Sequence, residues 1–272
     1  MDGAAAAVIS DLGLGERIVG TAAPDLFAAL PAEKKALLER IPVLDPGQGN
    51  AEKVIAAGPD LVVGVSVYSF GGFDGTPSVD RLAQAGAAVV VACDSEARGT
   101  VKDLSATVRF VTGLAGVLGV EEAGRRLVRE IQSSVDSVRA DGRPPVRVLA
   151  ISGPPAAGQT VMTQGGTSLA NGVITLAGGA NVAEDALTDF VSLSAEEIVA
   201  RDPEAIVVVS GFSREGEAEL AAAIRASAVL SRTTAVRENR IVVVPQSILL
   251  SPSTANGLAV RRIAEALRRP AS

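Results

Sequence analysis

Apolar residues along this chain follow two habits: recurrence at three- and four-residue spacing, and short unbroken β-branched runs. Twice the two habits are joined by the same phrase. Asn50-Ala51-Glu52-Lys53-Val54-Ile55-Ala56-Ala57-Gly58-Pro59-Asp60-Leu61-Val62-Val63 predicts a short helix, a proline-stopped turn and a buried strand. Ser194-Ala195-Glu196-Glu197-Ile198-Val199-Ala200-Arg201-Asp202-Pro203-Glu204-Ala205-Ile206-Val207-Val208-Val209 repeats it. Each copy has a polar helix start, a glutamate two residues later, an apolar pair, and a proline before the β-branched run. A duplicated helix–turn–strand unit implies two similar α/β halves with a cleft between them, the usual place for a small ligand.

The same pattern predicts the remaining elements. Ala4–Leu12 reads as an Ala-rich helix, Arg17–Gly20 as a short strand, Ala32–Arg40 as a helix and Pro42–Leu44 as extended chain. A loop rich in glycine and aromatic residues, Ser66–Thr76, follows the first copy; a helix over Ser78–Ala85 and a strand over Ala88–Ala92 come next. Helix is expected over Val101–Leu118. The longest amphipathic stretch places Val120, Ala123, Leu127, Val128, Ile131, Val135 and Val138 on one face, running to about Ala140. Beyond it come strands Val146–Ile151 and Thr160–Thr163, a helix Ser168–Ala177, a helix Glu217–Arg225, a strand Ile241–Val244 and a closing helix Thr254–Arg268. The expected division is an N-terminal lobe over 1–118, an interdomain helix over 119–141 and a C-terminal lobe over 142–272. Strands that are near-continuously apolar, alternating with helices, belong to a buried parallel sheet.

Composition narrows the chemistry. With 272 residues, 47% hydrophobic, the chain supports real cores, and its net charge of −6 argues against nucleic acid as a partner. There is no histidine, which removes the commonest general base and metal ligand. Cys93 is the only cysteine, so no internal disulfide forms, and it reads as a strand-end residue. No apolar run is long enough to span a membrane. Gly13-Leu14-Gly15 precedes a strand, the wrong context for a dinucleotide site, and Gly153–Thr160 lacks the lysine of a phosphate loop. The scattered acids Asp45, Asp60, Asp74, Asp94, Asp185 and Asp202 form no catalytic spacing, so neither a catalytic nor a metal site is expected, nor a cofactor.

Several segments together carry a resemblance. They are Gly13-Leu14-Gly15-Glu16-Arg17-Ile18-Val19-Gly20, the first copy of the phrase, and Val79-Asp80-Arg81-Leu82-Ala83-Gln84-Ala85-Gly86. In the second half they are Gly165-Gly166-Thr167-Ser168 through Gly178-Gly179-Ala180-Asn181-Val182, Leu193–Val208, and Val236–Pro245. In this order and spacing the chain resembles the substrate-binding proteins of bacterial ABC importers for iron-siderophores, haem and cobalamin. The resemblance covers nearly the whole chain. It implies two Rossmann-like α/β lobes joined by a single long helix, with the ligand cleft between them. It implies that Glu52 and Glu196, one on each copy of the phrase, dock on arginines of a membrane permease. It further implies a strand ahead of Ala4–Leu12, so first strand, export segment and lipid-anchor cysteine are expected to be absent from this sequence.

The expected ligand contacts are the loops at the carboxyl ends of the strands. From the first lobe these supply Thr21, Gln48, Ser66, Tyr68, Phe70 and Phe73; from the second, Ser152, Phe190, Phe212, Arg214, Ser247 and Leu249. With six Phe, one Tyr and no Trp in the chain, Tyr68, Phe70 and Phe73 concentrate its aromatic surface in one loop. Such rings suit a macrocycle or catecholate, or they pack beneath the loop to fix it. Arg214 suits an anionic ligand or is simply solvated beside Glu215. Without histidine, an intact chelate fits better than naked iron. The expected protein is a monomeric, non-enzymatic, extracytoplasmic binding protein for a ferric siderophore, haem or corrinoid. The alternatives are a cytoplasmic enzyme or cofactor-holding subunit on a similar plan, and a sensory or scaffold module without a transporter.

Overall fold

The computed structural model describes residues 1–269 except 25–26, 28–29, 93–98, 139–141, 156–157 and 214. The expectations placed on Cys93 and Arg214 therefore lie outside the described residues. The chain divides into two compact units. The first comprises Met1–Glu96, Ser105–Ile131 and Ser251–Thr254; the second comprises Ala97–Leu104, Gln132–Leu250 and Ala255–Ser272.

In the first unit the elements are α1 (Gly3–Asp11), β1 (Thr21–Ala22), α2 (Ala32–Leu38), β2 (Val43–Asp45), α3 (Ala51–Ala56), β3 (Leu61–Gly64), α4 (Val79–Gln84), β4 (Ala88–Val91) and α5 (Ser105–Leu118). The next helix, α6 (Glu121–Asp136), starts here and continues into the second unit from Gln132. Its 16 residues make it the longest helix among those described. The strands form two parallel pairs, β1 with β2 and β3 with β4. A cavity of about 200 Å³ is lined by residues of both β1 and β3, with Ala5, Ala6 and Ile9 of α1 on another wall. Asp2 fastens α1 to β3: one carboxylate oxygen accepts from the Ala5 amide at 2.9 Å and the other from the Val65 amide at 3.0 Å. The expected strand at Arg17–Gly20 is displaced. Gly15–Arg17 closes a single 3-10 turn, and the backbone first meets a strand partner at Thr21, whose amide donates to the Pro42 carbonyl.

The second unit holds β5 (Val146–Ile151), β6 (Val161–Gln164), α7 (Leu169–Leu176), β7 (Gly179–Asn181), β8 (Phe190–Leu193), α8 (Ala195–Arg201), β9 (Ala205–Ser210), α9 (Glu217–Ala226), α10 (Thr234–Arg237), β10 (Ile241–Pro245), α11 (Gln246–Leu249) and α12 (Asn256–Leu267). Its six-stranded sheet runs β10-β9-β5-β6-β8, with β7 also on β5. Strands β10, β9, β5 and β7 are mutually parallel, whereas β6 is antiparallel to both β5 and β8. The strand expected near Thr160–Thr163 thus departs from a purely parallel sheet. Leu149, Ile151, Ile206 and Val208 pack with Ile198, Leu220, Ile224 and Leu230 in one buried cluster. Burial of each such side chain contributes about 1.5–3 kcal/mol. Helix α5 starts at Ser105 rather than Val101 because the preceding segment is tied to α7 and the loop before it. The Val101 amide donates to the Gly166 carbonyl, and the Asn171 side-chain amide donates to the Val101 carbonyl.

Both copies of the repeated phrase fold alike. Asn50 caps α3 through its side-chain oxygen, and Ser194 caps α8 in a reciprocal capping box with Glu197. Each helix stops in a left-handed residue before its proline: Gly58 at φ 60° and Asp202 at φ 39°. Glycine takes that conformation freely; Asp202 is held in it. Its carboxylate accepts from the Thr234 amide at 2.8 Å and the Thr234 hydroxyl at 2.9 Å. These bonds, led by the amide, hold its carboxyl below the usual range. A depressed folded-state value stabilises above the unfolded pKa, and that stability is lost as pH falls through the folded pKa. Asp202→Asn should cost about 1–2 kcal/mol at neutral pH. It should also flatten the acid limb of a melting-temperature profile, and an unchanged acid limb would count against this role.

Candidate functional site

In the first unit the carboxyl ends of β2 and β3 lead into the loops that carry Gln48 and Ser66–Thr76. Ser66 caps a 3-10 turn over Val67–Ser69 by accepting from the Tyr68 amide at 3.3 Å. The loop then doubles back so tightly that a Cβ on Gly72 would stand 2.7 Å from the Tyr68 Cα. The Thr76 hydroxyl donates to the Phe73 carbonyl at 2.6 Å and accepts from the Gly71 amide at 3.1 Å. The Ala51 amide at the start of α3 donates to the Gly75 carbonyl at 2.8 Å. A fixed loop results, and it splits the three aromatic residues. Phe70 turns inward onto Val54, Val62, Leu82 and Ala87, taking the loop-fixing role. Tyr68 and Phe73 stay 53% and 44% exposed, their ring centroids 6.2 Å apart and tilted by 48°. Gln48 is exposed, whereas Thr21 is buried and its hydroxyl donates to the Ala22 carbonyl.

In the second unit Ser152, Phe212 and Ser247 follow the carboxyl ends of the parallel strands β5, β9 and β10. Phe212 is 59% exposed and Ser152 is exposed, but Ser247 is buried and Leu249 fully so, both on α11. Phe190 begins edge strand β8 at 48% exposure, opposite Gln164. Met162, paired with Ser192, lies diagonally across β6 from it and is also exposed, as is Leu187 in the preceding turn. Sequence reading named Phe190 as a contact but missed strand β8, only four residues long, and the exposed Met162 and Leu187 beside it. The one weak signal was the alternation within Phe190-Val191-Ser192-Leu193, which sends Leu193 to the core and Phe190 outward.

Glu52 and Glu196 occupy the same place in their helices, the second position after the capping residue, and both are exposed. Neither forms an ion pair among the described residues. The neighbouring Glu197 differs, since its carboxylate accepts from the Ser194 amide at 2.7 Å, and that bond lowers its pKa. In the second copy, then, one acid closes the cap and the other is left facing solvent at the positive end of the helix dipole.

Among the described residues no group of three or more His, Cys, Asp or Glu side chains could hold a metal ion. None of the described helices is long and apolar enough to cross a membrane.

A family model described as periplasmic binding protein matches residues 1–248. Solved structures agree on the fold. An ABC-type Fe3+-hydroxamate transport system protein from Saccharomonospora viridis is 21% identical with a TM-score of 0.79, covering 99% of this chain and 92% of that one. The periplasmic heme-binding protein RhuT from Roseiflexus sp. RS-1, in apo form, is 22% identical with a TM-score of 0.73, covering 97% and 95%. The periplasmic heme-binding protein HutB of Vibrio cholerae is 21% identical with a TM-score of 0.74, covering 98% and 96%. No curated protein matches the chain.

Proposed function

The chain belongs to the periplasmic binding protein family, a non-enzymatic class of transport components, and on that premise we propose that it is the substrate-binding protein of an ABC importer for an iron chelate, a ferric siderophore in the first instance. The observation that carries this reading is the Tyr68–Phe73 pair: two exposed rings on a loop that hydrogen bonds and close backbone packing hold in place. Exposing rigid apolar rings is costly unless something covers them, and flat or apolar-rimmed ligands gain about 0.5–1.5 kcal/mol per ring pair beyond simple burial. Phe190, Met162 and Phe212 give the second unit exposed apolar surface of its own. The similar structures named for haem or Fe3+-hydroxamate support the same ligand range. Under this reading the protein works outside the cytoplasm as a monomer and presents Glu52 and Glu196 to arginines of a permease.

Tyr68 is the only tyrosine and the chain lacks tryptophan, so intrinsic fluorescence reports this loop alone. Titration with ferric siderophores, haem and a corrinoid should quench Tyr68 for the true ligand. At a hundredfold excess over Kd that ligand should add about 2.7 kcal/mol of stability, seen as a raised melting temperature. Phe73→Ala should weaken binding about tenfold. If no metal chelate or tetrapyrrole quenches Tyr68 while a nucleotide or other metabolite does, the iron-import reading is wrong.

A further inference from the structure

The two copies of the repeated phrase differ at the third helical position. In α8 it is Glu197, whose carboxylate closes the cap on the Ser194 amide at 2.7 Å. In α3 it is Lys53, whose ammonium has no acceptor to offer. Asn50 takes the Glu52 and Lys53 amides at 3.0 and 3.2 Å. The Ala51 amide, the first of the helix, is met from outside by the Gly75 carbonyl at 2.8 Å. Gly75 belongs to the ring-bearing loop. It lies between Phe73 and Thr76 in a four-residue turn, at φ 84°, a conformation glycine takes without strain. Thr76 closes that turn twice on the Phe73 carbonyl, through its amide at 3.1 Å and its hydroxyl at 2.6 Å. The same hydroxyl oxygen accepts from the Gly71 amide at 3.1 Å, and the Gly72 amide donates to the Tyr68 carbonyl at 3.1 Å. A run of short bonds therefore leads from Tyr68 and Phe73, through Thr76 and Gly75, to the helix start that carries Glu52, all within the first unit.

Resting on the import reading above, we propose that Thr76 is the positioning residue of the first unit: its hydroxyl sets both the placement of the Tyr68–Phe73 rings and the cap of the Glu52 helix. The rings lie on either side of Gly71-Gly72 in the chain, and one hydroxyl fixes the backbone there at Gly71 and at Phe73. The Gly75 carbonyl lies inside the same turn, so a ligand that immobilises Phe73 also immobilises the acceptor of the Ala51 amide. Cover of the rings and order of the Glu52 helix then stabilise each other, and the linkage runs both ways. At α8 the cap is closed within the helix by Glu197.

Thr76→Val keeps the shape of the side chain and removes the hydroxyl; Thr76→Ser keeps the hydroxyl. The tyrosine band of near-ultraviolet circular dichroism reads Tyr68 alone, since the chain has one tyrosine and no tryptophan. Hydrogen exchange over the Ala51–Val54 amides reads the cap of α3. In the protein without added chelate, Thr76→Val should weaken the Tyr68 band and speed that exchange about tenfold, and Thr76→Ser should restore both. Ala51→Pro approaches the same bond from the other end. Proline suits the first helical position, and Asn50 already has the extended backbone, φ −63° and ψ 128°, that a following proline needs. It should weaken the Tyr68 band with the helix intact. Asp202→Asn, in the second unit, should move neither signal. If Thr76→Val changes them no more than Asp202→Asn does, the positioning role is overturned. A ferric trihydroxamate, a ferric tris-catecholate and haem are then added in turn. The probe that quenches Tyr68 should slow exchange over Ala51–Val54 in the parent and in Thr76→Ser, and not in Thr76→Val. A probe that quenches Tyr68 without slowing it in the parent overturns the coupling and leaves the iron-chelate reading standing. If none quenches while Thr76→Val still loosens α3, the iron-chelate reading fails and the positioning role stands.

Discussion

Replacing Gly166 by alanine should cost about 3 kcal/mol of stability and lower the melting temperature by roughly 10 °C. The loop between β6 and α7 is packed backbone to backbone against the turn that leads into β8. A Cβ on Gly166 would lie 2.2 Å from the Glu184 carbonyl oxygen, and one on Gly165 would lie 2.0 Å from that of Thr188. Neither obstacle is a side chain that can rotate away. The same loop makes three backbone bonds that a shift would strain: the Gly165 amide to the Asp189 carbonyl at 2.9 Å, the Gly166 amide to the Ala186 carbonyl at 2.7 Å, and the Val101 amide to the Gly166 carbonyl at 2.8 Å. Because the displaced turn ends at Phe190, ligand affinity should fall along with stability. Gly113 supplies the contrast. It lies in α5, where an added methyl would meet no atom within 4 Å, so Gly113→Ala should stabilise by about 0.5–1 kcal/mol. Thermal melts of both variants test the pair of expectations. A Gly166→Ala protein that melts like the parent would mean the Glu184–Thr188 turn does not pack against this loop.

Changing Glu52 and Glu196 together to alanine should leave ligand affinity intact and weaken docking on the permease by at least a hundredfold. Loss of one member of a hydrogen-bonded interfacial charge pair costs about 2–5 kcal/mol. Two independent pairs therefore give a large combined loss, most of it in the rate of dissociation. Each carboxylate stands free at the second position of a capped helix, able to accept a forked guanidinium. Glu197→Ala is the control, because this acid is spent on the capping box. It should lower the melting temperature slightly, through loss of the capping box, without affecting docking. Stimulation of ATP hydrolysis by the permease in lipid vesicles reads all three variants. Unimpaired stimulation by the double variant would refute the docking role and favour a module that works without a transporter.

The contrast between Glu196 and Glu197 shows where sequence reading stops. Both acids sit in the first turn of the same helix, and a pattern of residue types does not tell which one folds back on the cap. The repeat itself was legible, since a polar cap, an apolar pair and a proline stop are local signals, and α3 with β3 and α8 with β9 formed as expected. Local signals also found β5, β9 and β10, whose unbroken β-branched runs have no other stable place than a buried sheet. They failed at β7, three residues of Gly-Ala-Asn, which exist as a strand only because β5 offers them an edge. They misplaced β1 for the same reason, because a two-residue strand is set by its partner β2 and not by its own composition.

The candidate site divides along the same line. Concentration of the aromatic residues in one glycine-rich loop was visible in the sequence, as was the absence of histidine, and together they led to the expectation of an intact chelate. Which rings face outward was not visible. Phe70 lies two residues beyond Tyr68 and three before Phe73, yet it fills the core beside Val62 while the other two remain in solvent. Gly165-Gly166 was legible only as a motif; the reason for it is a carbonyl about two ångströms from where a side chain would begin. The sequence by itself determined the α/β plan, the duplication and the acids at matching helix starts, because capping, periodicity and burial of β-branched runs act over a few neighbouring residues. Tertiary structure alone decided which rings of the glycine-rich loop face outward and that Met162 and Leu187 join Phe190 as exposed apolar surface. Those depend on which distant backbone or charge arrives within a few ångströms, and no local pattern encodes that.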